Sequence, residues 1–161
     1  MSANKHVPHV LVLPEDDADR QLAIGFRLEL DSSRQRQMQV DPVGHGWLAV
    51  LELFVSDHIP AMARYPNRCI VLLIDFDGRR ERLEDAKAKI PHHLTERVFV
   101  LGTLSEPEAL RSAGLGTYET IGSTMARDCR EETDTIWDHD LLRHNASELA
   151  RLRERVRPIL F

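Results

Sequence analysis

The chain has 161 residues, of which 42% are hydrophobic and 29% charged. That is the size of one ordinary domain with a core of its own, and the composition excludes disordered and fibrous classes. Its 21 basic and 26 acidic residues leave a formal net charge of -5. No global positive field therefore advertises nucleic acid, and any anionic substrate must be held by local arginines or by metal ions.

The opening MSANKHVPHV lacks the apolar run of a signal peptide. Nowhere does the sequence approach the roughly eighteen consecutive apolar residues of a membrane span, so a cytoplasmic protein without a membrane partner is expected. Cys69 and Cys129 show no CxxC spacing, which predicts reduced thiols and neither a zinc site nor a disulfide framework.

The first apolar run, HVLVLP from His9 to Pro14, is too short for a helix and reads as a strand buried on both faces. A helix is predicted from Asp17 to Leu30, where Leu22, Phe26 and Leu30 recur at four-residue spacing, with Asp16 or Asp17 as its cap. QMQVDPVGHGW gives a second strand around Met38 and Val40, ended by Pro42, Gly44 and Gly46. The helix after it turns Trp47, Leu51, Phe54, Val55 and His58 inward, and Pro60 is expected to end or kink it.

CIVLLI from Cys69 to Ile74 is the third strand, RRERLEDAKAKI a charged helix with Leu83, Ala86 and Ile90 on one side, and RVFVLG the fourth strand. Ser105 and Glu108 are spaced as a capping box around Pro107, and the remainder reads as helix. Leu142, Leu149, Leu152, Val156 and Ile159 recur at near-heptad spacing, so this last segment is expected to dock on the sheet, with Pro158 interrupting it. Alternating strands and helices define an α/β fold: a mainly parallel four-stranded sheet with flanking helices. Residues 1–161 form a single domain in this reading, with a core over 9–101 and a helical C-terminal extension over 105–161.

In open parallel sheets ligands collect beyond the carboxyl ends of the strands. There the first strand delivers PEDDAD and the third DFDG. If the backbone is extended across Asp75, Phe76 and Asp77, both carboxylates point to one side and can reach one cation. Clustered acids repel unless a cation sits among them, and Mg²⁺ or Mn²⁺ takes oxygen ligands, so Glu15, Asp75 and Asp77 form a sufficient metal and catalytic set. Arg79 and Arg80 can clamp a phosphate beside the acids or be solvated helix charges. His45, between two glycines, is best placed of the eight histidines to enter the cleft as a phosphate donor or proton carrier. The others show no ligand spacing.

Glu15 after the first strand, DFD after the third and the GHG turn at Gly44 to Gly46 resemble the Toprim (topoisomerase-primase) superfamily over residues 9–101. The nearest likeness is to its small nuclease-like members, the overcoming-lysogenization-defect nucleases among them. The resemblance implies Mg²⁺-dependent strand cleavage, joining or nucleotidyl transfer on nucleic acid, with Glu15 as general acid, base or ligand and Asp75 and Asp77 on the metal. Asp19, one helical turn after Glu15, stands where such nucleases place an acid that helps hold a further metal. The Toprim glutamate is commonly followed by glycine, here Asp16, and no tyrosine has the setting of a topoisomerase nucleophile, so strand passage is not expected.

The start VLVLPEDDADRQL also resembles a response-regulator receiver, which makes Asp75 a phosphate acceptor and Thr103 its companion after the fourth strand. A receiver lysine belongs at the end of a fifth strand, whereas the lysines here are Lys5, Lys87 and Lys89. A third class is a non-catalytic metal- or partner-binding module of a defence or mobile-element system, whose C-terminal helices dock on another protein.

Overall fold

The structure, a computed structural model, describes residues 2–161. The four runs rich in Val, Leu and Ile become β1 (His9–Pro14), β2 (Met38–Val40), β3 (Arg68–Leu73) and β4 (Val98–Leu101). They pair in the order β2-β1-β3-β4, every pair parallel. Helices α1 (Asp17–Leu28), α2 (Trp47–Leu53), α3 (Ile59–Arg64), α4 (Glu81–Lys87), α5 (Pro107–Ser112), α6 (Tyr118–Glu131) and α7 (Ala146–Leu160) flank the sheet. With β2 on one side of β1 and β3 on the other, the chain leaves these two central strands in opposite directions. That switch point opens a crevice beyond their carboxyl ends.

Alternate residues of the strands feed two cores, as the period of two demands. Val10, Val12, Val71 and Phe99 pack with residues of α1, α6 and α7, whereas Leu11, Leu13, Ile70, Leu72 and Val100 pack with residues of α2, α3 and α4. Helices α1 and α6 touch backbone to backbone: a Cβ on Gly122 would lie 1.9 Å from the Leu22 carbonyl oxygen, and one on Gly25 2.1 Å from that of Glu119. No larger residue allows that crossing, which seats the start of α1 beside the end of β1.

The outer edge of β4 is closed by side chains instead of a fifth strand. The Val100 amide donates to Glu148 Oε2 at 3.0 Å, the Gly102 amide donates to Asn145 Oδ1 at 3.1 Å, and Asn145 Nδ2 donates back to the Gly102 carbonyl at 2.9 Å. Those amides would otherwise template another chain. The expected docking of the last segment is observed, with Leu149, Leu152 and Val156 buried in the same core as Val10 and Phe99.

Four local expectations change: Val55, expected to face inward, is 44% exposed. Pro60 does not stop the helical path: α2 ends at Leu53, a π-helical turn spans Phe54–His58, and Pro60 sits in the first turn of α3, where its missing amide breaks no bond. Pro158 lies inside α7, near the end of a helix held by the burial of Val156 and Leu160. The capping box is not formed, because α5 is capped at Glu106 without a side-chain bond; the Ser105 carbonyl instead receives the Asp77 amide at 3.1 Å.

Candidate metal centre

Glu15 leaves β1 as one more rung of the β1–β3 ladder, its amide donating to the Leu73 carbonyl at 2.9 Å. The next rung would join the Asp75 amide to the Glu15 carbonyl. That carbonyl has turned away and receives the His45 amide at 2.9 Å from the glycine-flanked turn after β2, so the Asp75 amide donates at 2.6 Å to the side chain, Glu15 Oε2. The GHG turn thus exchanges a backbone acceptor for a carboxylate at the end of the ladder.

Asp19 arrives from α1. Asp16 caps that helix by accepting the Asp19 amide at 3.0 Å, which fixes Asp19 in the first turn of α1, next to the end of β1. One ligand oxygen from each of Glu15, Asp19 and Asp75 lies within 4.8 Å of the others. These three can hold a metal ion.

The cluster is electrostatically frustrated. Asp19 is 0% exposed and neither of its carboxylate oxygens has a partner; Asp75 is 8% exposed and its Oδ1 has none. Burial pushes the Asp75 carboxyl up to about 8, and the negative charges of Glu15, Asp16, Glu108 and Glu106 add to the effect. Burial likewise raises Asp19 well above the usual carboxylate range, followed by repulsion from Asp75, Asp16 and Glu15. Glu15 is raised by burial too, against the opposing Asp75 amide; Asp16 lifts it further and the Arg82 guanidinium lowers it. A buried carboxylate without a partner is costly, and a hard cation with oxygen preference removes that cost here.

The other expected site residues fall around the cluster. Asp77 is not brought into it. The extended backbone assumed for Asp75–Asp77 ends at Phe76, since Asp77 has φ 51° and Gly78 φ 69°, and the Asp77 and Gly78 amides bond to Ser105 and Leu104 at 3.1 and 2.7 Å. The Asp77 side chain is 73% exposed and lies 3.5 Å from Arg82. His45 is exposed at φ 62° and meets Glu15 through its amide. Arg79 and Arg80 are exposed on the turn into α4. Thr103, at the exit of β4, is buried with its hydroxyl unpartnered.

Two features escaped the sequence reading. Arg82, not Arg79 or Arg80, faces the site: its Nη1 donates to the Asp75 carbonyl at 2.8 Å and its guanidinium lies 4.8 Å from the Trp47 ring centroid. Glu108, read as helix-start chemistry, and Glu106, given no role in the sequence reading, bear on Asp75. Their alternate spacing after a fourth strand was the signal for the pair; Arg82 had none apart from its place in the arginine cluster.

The chain matches no family model, no curated protein and no solved structure. Among the described residues no helix is long and apolar enough to cross a membrane.

Proposed function

We propose that Glu15, Asp19 and Asp75 bind Mg²⁺ or Mn²⁺ and that the protein is a cytoplasmic metal-dependent phosphodiesterase of Toprim type acting on nucleic acid. The observation that carries this reading is the fully buried Asp19, whose two oxygens have no partner within reach of two further carboxylates at the β1–β3 switch point. Structural acids in a protein interior are hydrogen-bonded or paired; this one is aimed at other acids.

Divalent ions in such a set polarise a phosphoryl oxygen or lower the pKa of a bound water. The chain's own residues divide the remaining work. Asp19 and Asp75 give oxygen ligands. Glu15 keeps one oxygen on the Asp75 amide, and its proton affinity, raised by burial, suits it to carry a proton during hydrolysis. The exposed Arg79 and Arg80, on the turn into α4, would give a phosphate backbone local positive charge that the net charge of -5 does not, and His45, whose amide meets the Glu15 carbonyl, would offer it a ring hydrogen bond.

Titration with Mn²⁺ tests the site. Wild type is expected to melt higher with Mn²⁺, and Asp75→Asn to lose that shift; an equal shift in the variant refutes the metal centre. Single- and double-stranded DNA and RNA with Mn²⁺ then test catalysis. Cleavage by wild type but not by Glu15→Gln supports the phosphodiesterase, while metal binding without Glu15-dependent cleavage puts the non-catalytic module ahead.

The unpartnered Thr103 hydroxyl at the exit of β4 favours the receiver as second reading. Against it, the four described strands include no fifth to carry a lysine. Labelling of Asp75 by acetyl phosphate would promote it.

A further inference from the structure

Resting on the metal-centre reading, we infer that Arg82 is the positioning residue of that centre, fixing the direction in which the Asp75 carboxylate points. The peptide groups on either side of Asp75 are held by side chains instead of by a neighbouring strand. The Asp75 amide donates to Glu15 Oε2 at 2.6 Å, and its carbonyl accepts from Arg82 Nη1 at 2.8 Å. Ile74 and Phe76 on either side bond to β4's exit through their amides, at 3.0 Å to Leu101 and 3.1 Å to Thr103. The face of the chain at Asp75 that looks toward β1 therefore depends on Glu15 and Arg82, and Glu15 is itself one of the acids.

Arg82 is equipped for this by its own surroundings. The left-handed turn at Asp77 and Gly78 reverses the chain, so that the first turn of α4 returns over Asp75. Its guanidinium lies 4.8 Å from the centroid of the Trp47 ring, and its Nη2 stands 3.5 Å from Asp77. The side chain is only 15% exposed. A planar fork can donate to the carbonyl, face the carboxylate and lie on an aromatic ring together; a lysine ammonium keeps the charge but cannot satisfy all three contacts. Residues that orient metal ligands typically change metal affinity by about 10- to 100-fold when replaced.

The test measures Mn²⁺ affinity by calorimetry and metal-free melting in EDTA for wild type, Arg82→Lys and Arg82→Gln. The expected result is a loss of about 10- to 100-fold in Mn²⁺ affinity for Arg82→Lys, with metal-free melting near that of wild type. Arg82→Gln, whose amide ends two bonds short of the Nη1 that bonds the Asp75 carbonyl, is expected to lose Mn²⁺ affinity as well and serves if the lysine variant does not fold. Wild-type Mn²⁺ affinity in either folded variant overturns the inference while leaving the metal centre intact. Loss of the metal-free fold in both makes Arg82 a structural residue and overturns it as well. Absence of Mn²⁺ binding by wild type removes the metal centre itself, and the inference with it.

Discussion

Two groups of buried acids occupy the same small protein and are treated in opposite ways. Glu148, in α7, accepts from the Val100 amide at 3.0 Å and pairs with Lys87 and Arg151, each at 2.9 Å. Asp128, in α6, accepts from the hydroxyls of Thr133 and Thr135 at 2.6 and 2.5 Å and from the Ile136 amide at 2.8 Å. Asp19 and Asp75 have unpartnered oxygens and other acids for neighbours. Desolvation is common to all four, so burial alone does not mark a functional acid; the lack of compensation does. The first pair ties helices to β4 and to the loop after α6, whereas the second leaves an electrostatic demand open at the sheet's switch point.

The comparison breaks most readily at Glu148. Glu148→Ala strands the Lys87 ammonium and the Val100 amide, and breaking a buried pair in this way costs about 3 kcal/mol. Urea unfolding should show that loss, while the Mn²⁺ affinity of the folded variant stays at the wild-type value. Asp19→Asn should have the opposite sign. It removes a buried ionisable group that other acids repel, so the metal-free protein becomes more stable at pH 8, and Mn²⁺ no longer raises the melting temperature as it does in wild type. If Asp19→Asn is destabilised as Glu148→Ala is, Asp19 has a structural partner and the contrast fails.

These two residues also differ in how far sequence could find them. Glu15 and Asp75 follow from a local rule, that a buried strand ends and an acid comes next, whereas Asp19 entered only through the family resemblance, since an acid in a first helical turn is equally a favourable charge on the helix dipole. Glu148 and Asn145 complete the edge of β4 from more than forty residues away, and no local pattern encodes which strand a polar side chain will meet. Asp77 failed for a related reason. Its left-handed φ is fixed by the carbonyls of Leu104 and Ser105 beyond β4, so an extended DxD was a sound local guess that tertiary hydrogen bonds overruled. The same turn sets the phase of α4, and with it which arginine of the cluster reaches Asp75. The sheet was legible throughout because period and length suffice for short, doubly buried strands; the helix boundaries near the two prolines were not, since Pro60 falls in a first turn that needs no amide and at Pro158 packing outweighs a single lost bond.

A pH profile of metal-free stability separates the two groups in one experiment. Burial pushes the Asp75 carboxyl up to about 8 in the fold, from an ordinary 3.8, so the folded protein holds a proton there that the unfolded chain has released. Stability therefore falls as pH rises from about 4 to about 8, and Asp75→Asn should flatten that decline. Mn²⁺ competes with the same protons, so its stabilising effect should be larger at pH 8 than at pH 5. Asp128 runs the other way. Burial raises it, yet the bonds from Thr133, Thr135 and Ile136 outweigh burial and leave it below the usual carboxylate range. Its contribution is present at neutral pH and is lost as pH falls through its folded value.

The smallest effect belongs to one of those bonds. Thr135 is exposed, so Thr135→Val gives up little packing and one hydrogen bond to the Asp128 carboxylate, worth about 1 kcal/mol. Because that bond favours the charged form, its loss should raise the Asp128 pKa and move the acid edge of the stability profile to higher pH. The pH-dependent decline assigned to Asp75 and the Mn²⁺ affinity should stay where they are in wild type. A Thr135→Val protein whose Mn²⁺ affinity or alkaline decline shifts would show the paired acids and the unpaired ones to be one coupled network, and the division between structural and functional acids would no longer hold.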